Sequence, residues 1–235
     1  MLVLGIESSA TAASVAVAEG EKLLGQYYCN TAMTHSQTLL PMAEALVQSL
    51  GKTWADFGLL AVSAGPGSFT GVRIGVSCVK GIAFAHNIPC CGVSTLEAIA
   101  YNGLACEGSI LCAVMDARCG QVYNALFQVE KGALRRLTED RALAIEALGE
   151  ECKAYGPHIM LLGDGAALCH QAFSTWGARL APEAQRFQQA ASVAFIGQQR
   201  AQQGLTVPAA ELQPAYLRLP QAERELKRKK EKEGN

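Results

Sequence analysis

One stretch, Gly65-Pro66-Gly67-Ser68-Phe69-Thr70-Gly71-Val72-Arg73-Ile74-Gly75, constrains this chain more than any other. It follows a short apolar run, 59–64, that reads as a strand, and it leads into a helix expected over about 72–86. Three glycines and a proline in seven residues turn the backbone sharply. Beyond the turn, helical spacing places Gly71, Gly75, Cys78, Ile82 and Ala85 on one stripe. Side chains this small let a second helix approach closely. Val72, Ile74, Val76, Val79 and Phe84 are apolar too, and only Arg73, Ser77 and Lys80 are plainly polar. Such a helix is expected to be buried, either in its own core or in a partner.

A phosphate loop is the rival reading, because glycines at a helix start aim backbone N–H groups at an anion. A P-loop closes on Gly-Lys-Ser/Thr, whereas this run ends Thr70-Gly71-Val72 and meets no lysine before Lys80. The glycines at 65, 67 and 71 also miss the G-x-G-x-x-G spacing. Packing is the favoured role.

The 235 residues leave room for two modest domains, and half of them are apolar, enough for a real core. A net charge of −1 provides no global field to recruit nucleic acid, so any RNA contact is local or comes through a partner. Nine cysteines without a Cys-x-x-Cys read as small core residues of a reduced, cytoplasmic protein rather than as a zinc site. No basic segment precedes an apolar run at the N-terminus, and no window approaches a membrane span, so no membrane role is expected.

Read in order, the chain opens with a buried strand, Leu2 to Ile6, then a turn carrying Glu7, Ser8, Ser9 and Thr11, then strands over 14–18 and 22–29. Thr34 and Gln37 form a capping-box candidate for a helix over about 36–50, with Pro41 predicting a kink or a start nearer Leu40. The strand 59–64, the glycine turn, the helix 72–86, a strand over 88–93 and a helix over 95–102 complete the first half. After Gly103 to Gly108 the opening recurs: a strand over 110–115 ending at Asp116, strands over 121–130 and 133–137, a helix over 145–155, a strand over 159–162, and helices over 166–176 and 188–203. The predicted division is therefore 1–104, 105–220 and a charged tail, 221–235, expected to be disordered and solvating. A weak RNA-phosphate contact through Lys227 to Lys230 is the sharper reading of that tail.

Two tandem halves, each opening with a hairpin whose first turn bears an acid, suggest the actin-like ATPase architecture. Glu7, Ser8, Asp116 and Asp164 are then the candidates for a vestigial nucleotide site, with ATP and Mg as a weak cofactor expectation. Metal chemistry has little support: His35, His86, His158 and His170 form no helical pair at i, i+4. Ser68 directly follows its glycine, so Gly-x-Ser-x-Gly is absent, and no nucleophile is indicated.

The long glycine motif resembles the signature of the bacterial TsaB proteins, formerly YeaZ. Further matches are Gly5-Ile6-Glu7-Ser8-Ser9, His35-Ser36 with Leu39-Leu40-Pro41, Gly92-Val93-Ser94-Thr95-Leu96, Asp116-Ala117-Arg118 with Gly120 and Val122-Tyr123, and Pro214-Ala215-Tyr216-Leu217-Arg218. The resemblance implies two actin-like (ASKHA, ribonuclease H-like) domains of α/β class, each opening with a three-stranded meander. It implies a non-catalytic subunit in threonylcarbamoyladenosine formation on tRNA, with no catalytic or metal residue and no cofactor required. Its implied partners are the catalytic paralogue TsaD, paired through the first-domain helices, and the ATPase TsaE. Symmetric self-pairing through the same patch is expected when the partner is absent, since an exposed apolar stripe seeks cover, and tRNA contact is indirect. Carried over, the partner face comprises His35, Leu39, Met42 and Leu46 on the first helix and Gly71, Arg73, Gly75, Cys78 and Ile82 on the second. An autonomous actin-fold ATPase and a glycoprotease-like metallopeptidase are the alternatives.

Overall fold

A computed structural model describes residues 1–31 and 33–218; the charged tail expected to be disordered lies outside the described residues. Strands β1 (Leu2–Glu7), β2 (Ala13–Glu19) and β3 (Lys22–Cys29) form the opening meander. Helix α1 (His35–Ser49), β4 (Leu59–Gly65), α2 (Phe69–His86), β5 (Cys90–Ser94) and α3 (Thr95–Tyr101) follow. The first sheet has the order β3-β2-β1-β4-β5, with β1 antiparallel to β2 and parallel to β4.

The second half repeats this plan. Strands β6 (Ile110–Asp116), β7 (Gln121–Glu130), β8 (Ala133–Arg136) and β9 (Arg141–Ala144) lead to α4 (Ile145–Cys152), β10 (Ile159–Leu162), α5 (Ala166–Phe173), β11 (Arg179–Leu180), α6 (Glu183–Arg186) and α7 (Ala190–Gln202). Its sheet runs β11-β10-β6-β7-β8, with β9 also pairing β7. Strand for strand, β6 takes the place of β1, β7 of β2, β10 of β4 and β11 of β5. The acids Glu7 and Asp116 therefore close equivalent strands, and Gly65 and Gly163 end or follow equivalent ones.

Every residue of β1 is buried, which explains its unbroken apolar run. Alternate side chains serve two faces. Leu4 and Ile6 meet α1 and α2 through Leu39, Leu46, Val76 and Val79. Val3, with Leu59 and Ala61, meets Val193, Ala194 and Ile196 of α7. In the second sheet Cys112 and Val114 pack under α4 and α5, while Leu111, Ala113 and Met115 pack against Leu96 and Ile99 of α3. Helices α3 and α7 thus lie between the sheets, with the Tyr101 and Phe195 rings stacked 6.3 Å apart.

This return of α7 corrects the division at 104/105, because residues 190–202 cover the first sheet and complete its core. The segment 207–215 stays with the first sheet as well, through the Cys90–Val207 bridge and the Ala215 N–H donated to the Ala64 carbonyl. The halves are also pinned by Glu97 of α3, which pairs with Arg200 of α7 and with Arg136 of β8.

Three local expectations fail. Thr34 does cap α1, but without a side-chain hydrogen bond; the Gln37 N–H is instead donated to the Thr34 carbonyl, so the capping box is not made. Helix α1 also starts at His35 and runs through Pro41. All nine cysteines are unpaired; Cys90, Cys91, Cys112, Cys152 and Cys169 are buried, with burial raising the Cys90 thiol to about 11 and the Cys169 thiol to about 12, whereas Cys29, Cys78 and Cys106 are half-buried and Cys119 is exposed, which corrects the expectation of core positions for these four.

Because α7 buries the inner face of the first sheet, Ile196→Ala is expected to cost about 2–4 kcal/mol. Urea unfolding followed by circular dichroism measures it, and both halves are expected to melt in one transition.

Candidate functional site

The glycine turn is built to lie on the first hairpin turn. A Cβ added at Gly67 would sit 2.5 Å from the Ser9 carbonyl oxygen, one at Gly71 2.1 Å from the Ser8 carbonyl oxygen, and one at Gly75 2.5 Å from Ser8 Oγ. Ser8 Oγ donates to the Gly71 carbonyl at 2.9 Å, and the Ser68 N–H is donated to the Ser9 carbonyl at 2.6 Å. Ser68 also caps α2, its Oγ accepting from the Gly71 N–H at 3.3 Å. The N–H groups that a phosphate would need at 68 and 71 are thus already bonded within the chain.

Glu7 lies under this lid, with 0% exposure. One of its oxygens accepts from the Ser9 N–H at 2.6 Å, and the other accepts from Ser63 Oγ. Burial raises its pKa, against the lowering effect of those hydrogen bonds. Burial likewise raises Asp164, whose Oδ1 accepts from Gln188 Nε2 at 2.8 Å. Asp116 accepts from the Arg118 N–H at 2.7 Å and pairs with the Arg118 guanidinium at 3.2 Å.

A cavity of about 600 Å³ opens between the halves. Asp116 and Asp164 line it, together with Ser9, Ser68 and Tyr123, whereas Glu7 and Ser8 do not. The four candidates for a nucleotide site are therefore split, two in the cavity and two sealed beneath the glycine turn. What remains is a polar cleft with two carboxylates and no open phosphate cradle at its first turn. Among the described residues, no three His, Cys, Asp or Glu side chains converge as a metal-holding group.

The cleft mouth is lined by residues 215–218, part of the Pro214-Ala215-Tyr216-Leu217-Arg218 match. Lys80 Nζ donates to the Ala210 and Leu212 carbonyls at 3.1 Å each. Tyr216 stacks on Phe69 at 4.8 Å and accepts from Arg73 Nε at 2.8 Å. Arg218 reaches the second half, donating to the Ala117 carbonyl at 3.2 Å. Gly65, at φ +125°, has no room for a side chain because the Ala215 carbonyl oxygen would lie 2.2 Å from its Cβ.

The α1–α2 pair presents a second surface, but not with the residues expected. Leu39, Leu46, Gly71, Gly75 and Ile82 are buried in the protein's own core, so the small-residue stripe faces β1 and β4 instead of a partner. The physical reason is the backbone contact with Ser8 and Ser9, which uses up the glycines. Of the remaining candidates, Arg73 is exposed while His35, Met42 and Cys78 are half-buried, and His35 Nε2 bonds the Ala10 carbonyl at 2.7 Å. The outward stripe lies one residue round the helix. It carries Arg73, Ser77, Gly81 and Phe84, the last 84% exposed, with Leu40 exposed on α1. Its signal in the sequence was the phenylalanine itself, beside a glycine at i−3 with open space around it.

Duplicated sheets of order 3-2-1-4-5 around a cleft define an actin-like α/β protein, and known proteins agree. The activator of 2-hydroxyisocaproyl-CoA dehydratase from Clostridium difficile superposes with a TM-score of 0.51 at 11% identity, covering 87% of this chain and 97% of its own, a likeness of fold alone. The family model described as TsaD, tRNA N6-adenosine threonylcarbamoyltransferase, matches residues 29–226.

Within that group the chain belongs to the TsaB family. It is 30% identical to the tRNA threonylcarbamoyladenosine biosynthesis protein TsaB of Bacillus subtilis over 95% of this chain and 96% of the relative. It is 32% identical to that of Escherichia coli over 70% and 72%. The structure named YeaZ from Pseudomonas aeruginosa superposes with a TM-score of 0.80 at 27% identity, covering 92% of this chain and 99% of its own.

Since Gly75 faces Ser8 and Val62, Gly75→Leu is expected to destabilise the isolated chain by about 1–3 kcal/mol through overpacking, as measured by urea unfolding. Glu7 binds its proton more tightly folded than unfolded, so its contribution is fully present below its unfolded pKa and is lost as pH rises through the raised folded value. Stability measured from about pH 4 upward is therefore expected to fall less steeply in Glu7→Gln than in the parent.

Proposed function

We propose that this protein is the accessory subunit of a complex that forms threonylcarbamoyladenosine on tRNA, with the chemistry carried by a TsaD partner. The observation that carries the reading is the outward face of α1 and α2. Phe84, Leu40 and the half-buried Ile74, Met42 and Cys78 make an apolar surface on two packed helices, flanked by Arg73 and Ser77. A phenylalanine this exposed is costly to leave in water and suits a buried anchor at the centre of an interface.

A partner of the same fold has an equivalent helix pair, so the association is a four-helix packing, and a symmetric homodimer uses the same face when the partner is absent. On this reading the subunit needs no cofactor of its own. Burial of Glu7 and Ser8 beneath the glycine turn argues against ATP–Mg in the cleft. A site in the cytoplasm follows from tRNA as the shared substrate; no helix among the described residues is long and apolar enough to cross a membrane. TsaE enters as the ATPase that binds the assembled pair.

The test is co-purification with TsaD and TsaE, followed by a tRNA modification assay omitting each protein in turn. Omitting this chain is expected to abolish modification, and turnover by this chain alone would overturn the reading. Phe84→Glu is expected to leave the thermal transition within about 0.5 kcal/mol of the parent, as surface substitutions do, while weakening pairing at least tenfold in a titration.

A further inference from the structure

Two of the three plainly polar side chains of α2, Arg73 and Lys80, are engaged by residues 210–216. Lys80 Nζ donates to the Ala210 and Leu212 carbonyls, and the Ala215 N–H is donated to the Ala64 carbonyl at 2.7 Å, so the main chain of this strap is fixed to the first half. Leu212 adds an apolar anchor, buried in the core that α1 and α2 cover. Tyr216 is therefore delivered on a tethered backbone to the N-terminal end of α2, where its ring stacks on Phe69 at 4.8 Å.

Arg73 joins those rings to the outward face of α2. Its guanidinium lies 3.9 Å from the Phe69 centroid, and its Nε donates to the Tyr216 hydroxyl at 2.8 Å. A planar group held at once by a ring face and by a hydrogen bond keeps little rotamer freedom. Only Nε is used, however. Among the described residues Nη1 and Nη2 have no hydrogen-bond partner, and no carboxylate stands within ion-pair reach. Arg73 is exposed on the same stripe as Ser77, Gly81 and Phe84, about 16 Å along the helix from the phenylalanine, so it forms the charged end of that face. A guanidinium with two unused Nη groups is made to meet a carboxylate. Fixing it beforehand lowers the entropy lost when the carboxylate arrives, and Arg and Tyr are the side chains on which interfaces most depend.

We infer that Tyr216 is a positioning residue for the partner face: it holds the Arg73 guanidinium ready for an acidic side chain of the TsaD partner. The inference rests on the accessory reading above and deepens it. It gives the strap at the cleft mouth a part in pairing, and it names a carboxylate as what the partner sets opposite Arg73.

The experiment has two arms, both on the full chain. In the chain alone, the Arg73 Nε–H signal is followed by NMR. It is expected to be protected from solvent exchange in the parent and to lose that protection in Tyr216→Phe, which keeps the ring and removes the hydroxyl acceptor. Titration against TsaD at low and high salt then reads pairing. Tyr216→Phe and Arg73→Ala are each expected to weaken it about three- to tenfold at low salt, roughly the worth of one hydrogen bond or exposed ion pair. The double variant is expected to pair no worse than Arg73→Ala, because the hydroxyl acts through the guanidinium. Arg73→Ala is also expected to flatten the salt dependence. A merely structural role for Tyr216 would lower the thermal transition and give additive losses instead. Additive losses, unchanged affinity in both single variants, or an Arg73 signal that stays protected in Tyr216→Phe would each overturn the inference. A parent chain that does not pair with TsaD would overturn the accessory reading, while the Arg73 signal of the chain alone would still decide whether Tyr216 positions the guanidinium.

Discussion

The main-chain carbonyls of Ser8 and Ser9 press against Gly67 and Gly71, while the Ser8 side chain presses against Gly75, with less space than a methyl group needs. That contact fixes the rotation of α2 about its own axis. With the glycine edge held on β1, the following stripe, Val72, Val76, Val79 and Ala83, must fill the core, and Arg73, Ser77, Gly81 and Phe84 must face out. It also closes the turn over Glu7, which explains how a fully buried acid persists: two donors satisfy its oxygens, and burial favours the neutral form. Even the strap at the cleft mouth depends on the same turn, since Gly65 is the position where the Ala215 carbonyl comes closest.

Much of this architecture was legible in the sequence, because each half advertises it by the same means. Unbroken apolar runs mark β1, β4, β6 and β10, glycines and acids mark the turns between them, and the order of elements recurs even though the residues do not. The strands and helices missed were the short ones, β9, β11 and α6, which carry too few residues for a period to show. The return of α7 was invisible for another reason. Its apolar face reads as core, but nothing local says which of two sheets it will cover, and Ala190, Ala194 and Gly197 suit either until Gly5 and Ala61 are seen opposite them.

The glycine stripe faces the chain's own backbone and not a partner, and the reason is instructive. Small residues along a helix say that something approaches closely; they do not say whether it is a partner's helix or the chain's own backbone. Periodicity cannot separate these cases, since both need the same missing side chains. A hairpin turn carrying Ser8 and Ser9 with free carbonyls was in the sequence, but its meeting with a helix more than 60 residues away is a tertiary fact. The outward stripe was the weaker pattern by composition and becomes visible only by subtraction, once the glycines are assigned to the core.

The cleft and the outer face of α1 and α2 differ in kind: one is polar and partly closed by the chain's own backbone, the other exposes Phe84 and Leu40. In an actin-like plan, ligands approach through the turns at the carboxyl ends of β1, β4, β6 and β10, where backbone N–H groups converge. In this chain the first of those turns is closed by its own glycine loop, and the N–H groups at 68 and 71 are spent on carbonyl and hydroxyl acceptors a few ångströms away. Opening that turn for a phosphate would break Ser68–Ser9 and Ser8–Gly71 and uncover Glu7, whose carboxylate would then face the incoming anion. Three unfavourable changes coincide at one spot, so the first turn is committed to packing in this chain, while the exposed Phe84, Leu40 and Arg73 lie on the outer face of α1 and α2, which the glycine contact turns away from the core.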